Sequence, residues 1–302
     1  MIKTLEELVK TAQEQAKMRL VVAAAEDKDV LQAVAQAQEK KIIEAILIGD
    51  QVKITAIAKY LAIDLNCTII HIPDLVEAAL EAVKMVSNGK ADFVMKGILD
   101  TSILLKAVLD KEVGLRTESL LSHVMVYEVP TYHKLLFLTD GGMNISPTLE
   151  EKKSILKNAI TSAKAIGIEK TKVACLAAKE KVSDKMQATI DAQALKELAE
   201  GGYFGKDAIV EGPIAFDLAI SKNAAEIKGF SSPVAGETDV LLVPTIEVGN
   251  GIGKALTYMA KAKSAGIIMG ARAPVVLTSR ADDAETKLYS IALGSVIAAF
   301  NK

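Results

Sequence analysis

The sequence predicts an α/β protein built on mostly parallel sheets, and three observations carry that expectation. Helical and strand-like segments alternate from one end to the other, the rhythm of a sheet covered by helices on both faces. The apolar half of the 302 residues is dominated by Ala, Val, Ile and Leu, with 4% aromatics and no Trp. Polar clusters fall repeatedly where a strand hands over to a helix, the edge at which open α/β sheets bind ligands.

In order, 5–18 has the apolar spacing of an amphipathic helix, opened by a capping-box pattern at Thr4 and Glu7, and 20–24 is a short apolar strand. Residues 29–40 read as helix and 45–48 as strand, with Gly49-Asp50 marking the turn. Helix 51–62, strand 67–72 and helix 75–86 follow, the last capped by Asp74. Strand 92–95 ends at Lys96-Gly97 before helix 101–109. Two strands, 123–129 and 135–139, then stand close together and predict an antiparallel hairpin.

The cluster Asp140-Gly141-Gly142-Met143-Asn144-Ile145-Ser146-Pro147 breaks the rhythm and predicts a domain boundary. A second α/β series follows: a helix from Thr148, strand 172–177, helix 184–200, strand 208–211, helix 213–220, strand 240–243, helix 254–263 and strand 267–269. The loop Gly249-Asn250-Gly251-Ile252-Gly253-Lys254 is expected to lie between strand and helix as a close-approach loop. It is neither G-x-x-x-x-G-K-[ST] nor G-x-G-x-x-G, so an ATP-hydrolysing site has no support. Finally Val275 to Leu277 is a buried strand that stops at Thr278-Ser279-Arg280, and 284–299 is a long helix.

Composition narrows the function classes. A net charge of −2 with interspersed signs implies no basic face, and scarce aromatics disfavour a nucleic-acid platform. Cys67 and Cys175 sit in apolar strand-like runs and read as buried, reduced thiols. No apolar run reaches the ~18 residues of a membrane helix, and the N-terminus is unlike a signal peptide, so a cytoplasmic protein with no membrane partner is expected. Three scattered histidines and the lack of H-E-x-x-H or G-x-S-x-G leave zinc hydrolysis and acyl-serine chemistry unsupported; no metal site is expected. The Ser279-Arg280-x-Asp282 turn offers a hydroxyl, a guanidinium able to grip an anion bidentately, and a helix N-terminus suited to phosphate.

Five segments together resemble the phosphate acetyl/butyryltransferase family, and the butyryltransferase branch most. They are Lys96-Gly97; Leu138-Thr139-Asp140-Gly141-Gly142-Met143-Asn144; Gly212-Pro213 with Phe216-Asp217; Pro244 with Glu247-Val248-Gly249-Asn250; and Ser279-Arg280-Ala281-Asp282 with Ala284-Glu285-Thr286-Lys287. The resemblance implies a two-domain, three-layer α/β/α fold like that of the isocitrate/isopropylmalate dehydrogenases. Residues 1–145 plus 267–302 would form the first domain and 146–266 an inserted second one, with the active cleft between them. It implies reversible transfer of a short acyl group, butyryl or branched-chain, between CoA and inorganic phosphate by direct attack in a ternary complex. No cofactor is implied beyond CoA and phosphate as substrates, and a homodimer or larger homo-oligomer is. Catalytic roles fall on Ser279, Arg280 and Glu285, and substrate contacts on Lys96, Lys106, Arg116, Asp140, Asn144, Glu247 and Asn250. In related acetyltransferases an aspartate shortly after the Ser-Arg pair is the proposed base. That register lands on Thr286 here, leaving Glu285 as first choice with Asp282 and Asp283 as alternatives. The rival readings are a phosphate acetyltransferase, a metal- and NAD-dependent hydroxyacid dehydrogenase on the same fold, and a non-catalytic acyl-CoA sensor.

Overall fold

The computed structural model describes residues 2–279 and 281–302. In chain order the elements are α1 (Leu5–Glu14), β1 (Met18–Ala23), α2 (Lys28–Glu39), β2 (Ile43–Gly49), α3 (Gln51–Tyr60), β3 (Thr68–His71), α4 (Leu75–Ser87), β4 (Phe93–Lys96) and α5 (Thr101–Val108). Next come β5 (Ser122–Glu128), β6 (Leu136–Thr139), α6 (Leu149–Ala165), β7 (Thr171–Leu176), α7 (Gln187–Glu200), β8 (Ala208–Ile214), α8 (Phe216–Ile220), α9 (Lys222–Ile227), β9 (Val240–Leu242) and α10 (Ile246–Lys254). A single π turn (Ala255–Met259) leads to β10 (Lys263–Met269), β11 (Val275–Val276) and α11 (Ala284–Phe300). Among the described residues, no helix is long and apolar enough to cross a membrane.

The chain divides into two compact units. Leu5–Ser119 with Ala265–Lys302 form a split unit; Leu120–Ser264, joined by residues 2–4, form an inserted one. The change of unit therefore falls at Leu120 and not at the Asp140–Pro147 cluster where composition alone suggested a boundary. The hairpin belongs to the inserted unit because its second strand, β6, pairs in parallel with β9, Phe137 opposite Val240.

The strand order in the split unit is β3-β2-β1-β4-β11-β10, parallel except for the antiparallel β10–β11 pair. Aspartates repeatedly close its strand-to-helix turns: Asp27, Asp50 and Asp74 cap α2, α3 and α4 with side-chain acceptors for the first free N–H groups. Helix α11 is buried at every residue from Lys287 to Ala298, because it packs on the sheet and also on α1 and α2. A stretch without one-sided periodicity is what such a central helix requires.

In the inserted unit the order is β5-β6-β9-β7-β8, with the expected antiparallel β5–β6 hairpin and parallel pairs elsewhere. Tyr127, Leu136, Leu138, Leu176, Ile214 and Leu241 form a core with Leu218 and Ala219 of α8. One sequence expectation is overturned here. The glycine-rich run 249–254 is the body of helix α10 and not a loop, and the helix expected over 254–263 is a π turn followed by β10. Glycine costs about 1 kcal/mol against alanine inside a helix, which is why the run reads as a breaker. Packing overrides that cost: a Cβ on Gly249 would stand 2.6 Å from the Cα of Gly141 and one on Gly253 2.7 Å from the Tyr127 hydroxyl.

Candidate functional site

Chain order in the split sheet runs outward from β1 to β2 and β3, then crosses to β4 on the other side. The carboxyl ends of β1 and β4 are therefore a topological switch point, where an α/β sheet opens a crevice. The two loops leaving it are locked together. Gly97 N donates to Ala23 O and Ile98 N to Ala24 O, both at 2.8 Å. A Cβ on Gly97 would lie 1.8 Å from Ala24 O, so only glycine allows this crossing. Ala24 itself takes a left-handed φ of 56°.

A cavity of about 380 Å³ opens at this point, lined by Asp27 and Val30 from the start of α2, Lys96, Gly97 and Ile98 from β4 and its loop, Thr278 and Ser279 after β11, and Lys287 of α11. A larger one, about 810 Å³, lies among residues at the amino ends of β1 to β3, including Lys17, Glu44 and Thr68. The smaller cavity has the better claim to chemistry, because it gathers two buried ammonium groups and a hydroxyl at the ligand-binding edge.

Lys96 is buried, and its Nζ donates to the carbonyls of Gly97 and Leu99 at 3.1 Å each. Lys287, also buried, donates to the carbonyl of Asp282. Ser279 is exposed at the mouth; its N–H donates to Asp282 Oδ2 at 2.7 Å and its Oγ accepts from Ala281 N at 3.3 Å. Arg280 lies outside the described residues. Asp283 caps α11 by accepting from Thr286 N at 2.8 Å, a bond that holds its carboxyl below the usual range. Glu285 accepts from the Tyr289 hydroxyl at 3.0 Å, and Glu6 of α1 lies 2.6 Å from the same oxygen. Burial, then these two acids, push the Tyr289 hydroxyl far above its ordinary value. Glu285 is not among the residues lining the cavity. Lys106, in the last turn of α5, and Arg116, in the loop beyond it, are exposed.

The sequence-derived residues of the inserted unit gather around one loop. Asp140 is buried; its Oδ1 accepts from Gly142 N (2.8 Å) and Met143 N (2.9 Å), and its Oδ2 from His123 N (3.0 Å) and Asn144 Nδ2 (2.6 Å). Asn144 also donates to Leu121 O at 3.0 Å. A carboxylate filled by four internal donors organises its loop and does not offer itself to a ligand. The organised loop seats against α10, where Asn250 Nδ2 reaches Gly141 O at 3.4 Å. Glu247, exposed in the first turn of α10, has its carboxyl lowered by its own backbone N–H and the Thr245 hydroxyl.

Sequence reasoning missed two charged residues of the cavity. Lys287 stood inside a quoted motif, and the signal was the one lysine of a mostly apolar helix. Asp27 follows the first strand at the switch point, but the switch point depends on strand order, which periodicity does not reveal. Neither cysteine is poised to react, since desolvation pushes Cys67 up to about 11 and Cys175 to about 12. Among the described residues, no cluster of His, Cys, Asp or Glu could hold a metal ion.

The family model described as phosphate acetyl/butaryl transferase matches residues 3–81 and 73–295. The chain belongs to the phosphate acetyl/butyryltransferase family. It is an enzyme, a phosphate acyltransferase. Relatives in this family include the phosphate butyryltransferase of Clostridium acetobutylicum, 46% identical over 99% of both chains. The phosphate acetyltransferase of Thermotoga maritima is 44% identical over 97% of this chain and 99% of its own. The crystal structure of a branched-chain phosphotransacylase from Enterococcus faecalis V583 superposes with a TM-score of 0.83 at 33% identity, covering 93% of this chain and 99% of that one. The phosphate acyltransferase fold expected from the sequence is thus the one observed.

Proposed function

We propose that this phosphate acyltransferase moves a butyryl or short branched acyl group reversibly between CoA and inorganic phosphate, at the cavity beside Ser279. The observation that carries the proposal is the pairing of two buried lysines, Lys96 and Lys287, with the Ser279 hydroxyl in one recess at the switch point. Both substrates are polyanions, so their approach needs fixed positive charge in a place water screens poorly. Arg280, next to Ser279 in the chain, adds a bidentate grip on the phosphoryl group. Ser279 donates to the oxyanion as the acyl carbon becomes tetrahedral, and proximity in a ternary complex supplies much of the remaining rate. Lys106 and Arg116 of the split unit are the further cations for the two anionic substrates. Asp140 and Asn144 act through the loop that they hold, with Glu247 and Asn250 on the helix against which it rests.

The same reading carries a cytoplasmic homodimer or larger homo-oligomer, for which exposed Tyr258 and Met259 offer apolar contact surface. The test is CoA release from a panel of acetyl-, butyryl-, isobutyryl- and isovaleryl-CoA with and without phosphate. Phosphate-dependent release, fastest with the four- and five-carbon acyl groups, is expected. Binding without turnover would make the protein a sensor, and a preference for acetyl-CoA would move it to the acetyltransferase branch.

A further inference from the structure

We infer that Asp27 accepts the proton of the CoA thiol in this reaction, an assignment that rests on the function proposed above. The three acids near Ser279 are engaged in holding structure: Asp282 accepts from Ser279 N, Asp283 from Thr286 N, and Glu285 from the Tyr289 hydroxyl. None of them lines the cavity, whereas Asp27 does and is the single carboxylate among the described residues that line it. Its Oδ1 accepts from Val30 N at 2.9 Å, while Oδ2 makes no hydrogen bond to a described residue. One oxygen thus anchors the side chain and the other is left to meet a ligand.

The backbone that presents it is fixed on all sides. Asp27 N donates to Ala25 O at 2.8 Å, and Leu31 N to Asp27 O at 3.0 Å. Ala24, with its left-handed φ, is held by Gly97 pressed against its carbonyl. Strain of about 1–3 kcal/mol per residue persists where surrounding structure over-determines it, commonly beside reacting groups. Among the described residues, the charged groups facing the cavity with Asp27 are Lys96 from β4 and Lys287 from α11; the loop after β11 contributes the Ser279 hydroxyl. Glu26, on the loop of Asp27 itself, is turned toward Asp50 N and Gly49.

The balance of the step in the thioester-forming direction is complete. The Asp27 carboxylate takes the S–H proton as sulfur forms its bond to the acyl carbon. The carbon–oxygen bond to phosphate breaks, its electron pair staying on the phosphate oxygen. That oxygen then takes the proton from Asp27, and the carboxylate is restored for the next turnover. Near pH 7 only a few per cent of a thiol with pKa about 8.5 is thiolate, so a local acceptor has a clear task.

Asp27→Asn separates this role from the capping role, because asparagine caps a helix as well as aspartate does. Asp27→Ser, a second capping residue, guards against a variant-specific folding fault. The measurement is thioester formation from CoA and butyryl phosphate, with far-UV circular dichroism and Tm as controls. We expect both variants to fold as the wild type does and to lose about 10²–10⁴-fold in kcat at pH 7. The loss should shrink above pH about 8.5, where the thiol ionises unaided, with CoA KM little changed. A variant within twofold of wild type at pH 7, or one with an equal loss at every pH, overturns the assignment. If the wild type itself forms no thioester, the proposed function fails and the Asp27 assignment with it. An active wild type with an equally active Asp27→Asn sinks the assignment alone.

Discussion

Gly97→Ala probes the crossing on which the cavity is built. The added Cβ would meet Ala24 O at 1.8 Å and Ala23 O at 2.7 Å, both of them backbone atoms. No side-chain rotation relieves such a contact, so the loop after β4 must withdraw from the loop after β1 by about 1.5 Å to regain van der Waals distance. Withdrawal breaks the Gly97 N–Ala23 O and Ile98 N–Ala24 O hydrogen bonds. Each is worth about 0.5–1.5 kcal/mol net, and forced overpacking adds about 1–3 kcal/mol, for a total of roughly 2–6 kcal/mol. The same shift displaces Lys96, Gly97 and Ile98 from Asp27 and Ser279 across the cavity. Misplacement of about 1 Å can cost about 10²-fold in rate. Urea and thermal unfolding followed by circular dichroism, alongside steady-state kinetics, read both effects. A Gly97→Ala protein with the stability and kcat of the wild type would refute the claim that this crossing is rigid and shapes the site.

Other outcomes follow from the proposed function, for Arg280, and from the hydrogen bonds of Asp140 and Asp92. Arg280→Ala should raise the phosphate KM by about 10–100-fold, the loss of a charge-assisted bidentate contact, with Arg280→Lys restoring only part; initial rates across a phosphate series measure it. Asp140→Asn exchanges one acceptor oxygen for an NH2 facing N–H donors, and should destabilise the inserted unit by about 2–4 kcal/mol in a thermal melt. Asp92 is disfavoured by burial, yet hydrogen bonds from the Arg19 side chain and backbone and from Lys302 bring its carboxyl down to about 2. A carboxyl lowered on folding stabilises above its unfolded pKa of about 3.9 and stops doing so as pH falls through the folded value. Asp92→Asn should therefore cost about 1–2 kcal/mol at neutral pH, allowing for solvent screening of the half-exposed Arg19, and flatten the unfolding curve between pH about 4 and 2.

Most elements were legible because periodicity and capping point the same way. Asp50 and Asp74 stand where apolar runs end, and the hairpin is betrayed by two strands with only a few residues between them. Helix α10 was misread because glycine propensity is local information, while the reason for Gly249 is a loop more than a hundred residues away in the chain. The unit boundary was misplaced for a related cause, since the partner of β6 is β9, and strand pairing leaves no mark on either sequence alone. At the site, the residue types around Ser279 were found, but their commitments were not. Nothing in A-D-D-A-E-T-K says that the first two acids tie up backbone N–H groups or that the glutamate faces a buried tyrosine. Lys287 and Asp27 come together only through strand order and helix packing.

The position of β11 has a consequence for how the enzyme comes into being. Val275 and Val276 pair with β4 on one side and β10 on the other, so a strand made after the whole inserted unit fills a gap beside one made before it. The inserted unit draws all its strands from a continuous stretch and can complete its sheet while the ribosome still holds the rest. Until then β4 presents an open edge, the kind of surface that invites unwanted pairing. A polypeptide halted before Val275 lacks Ser279 and Lys287, so the recess beside Lys96 is then without its hydroxyl and its second amine.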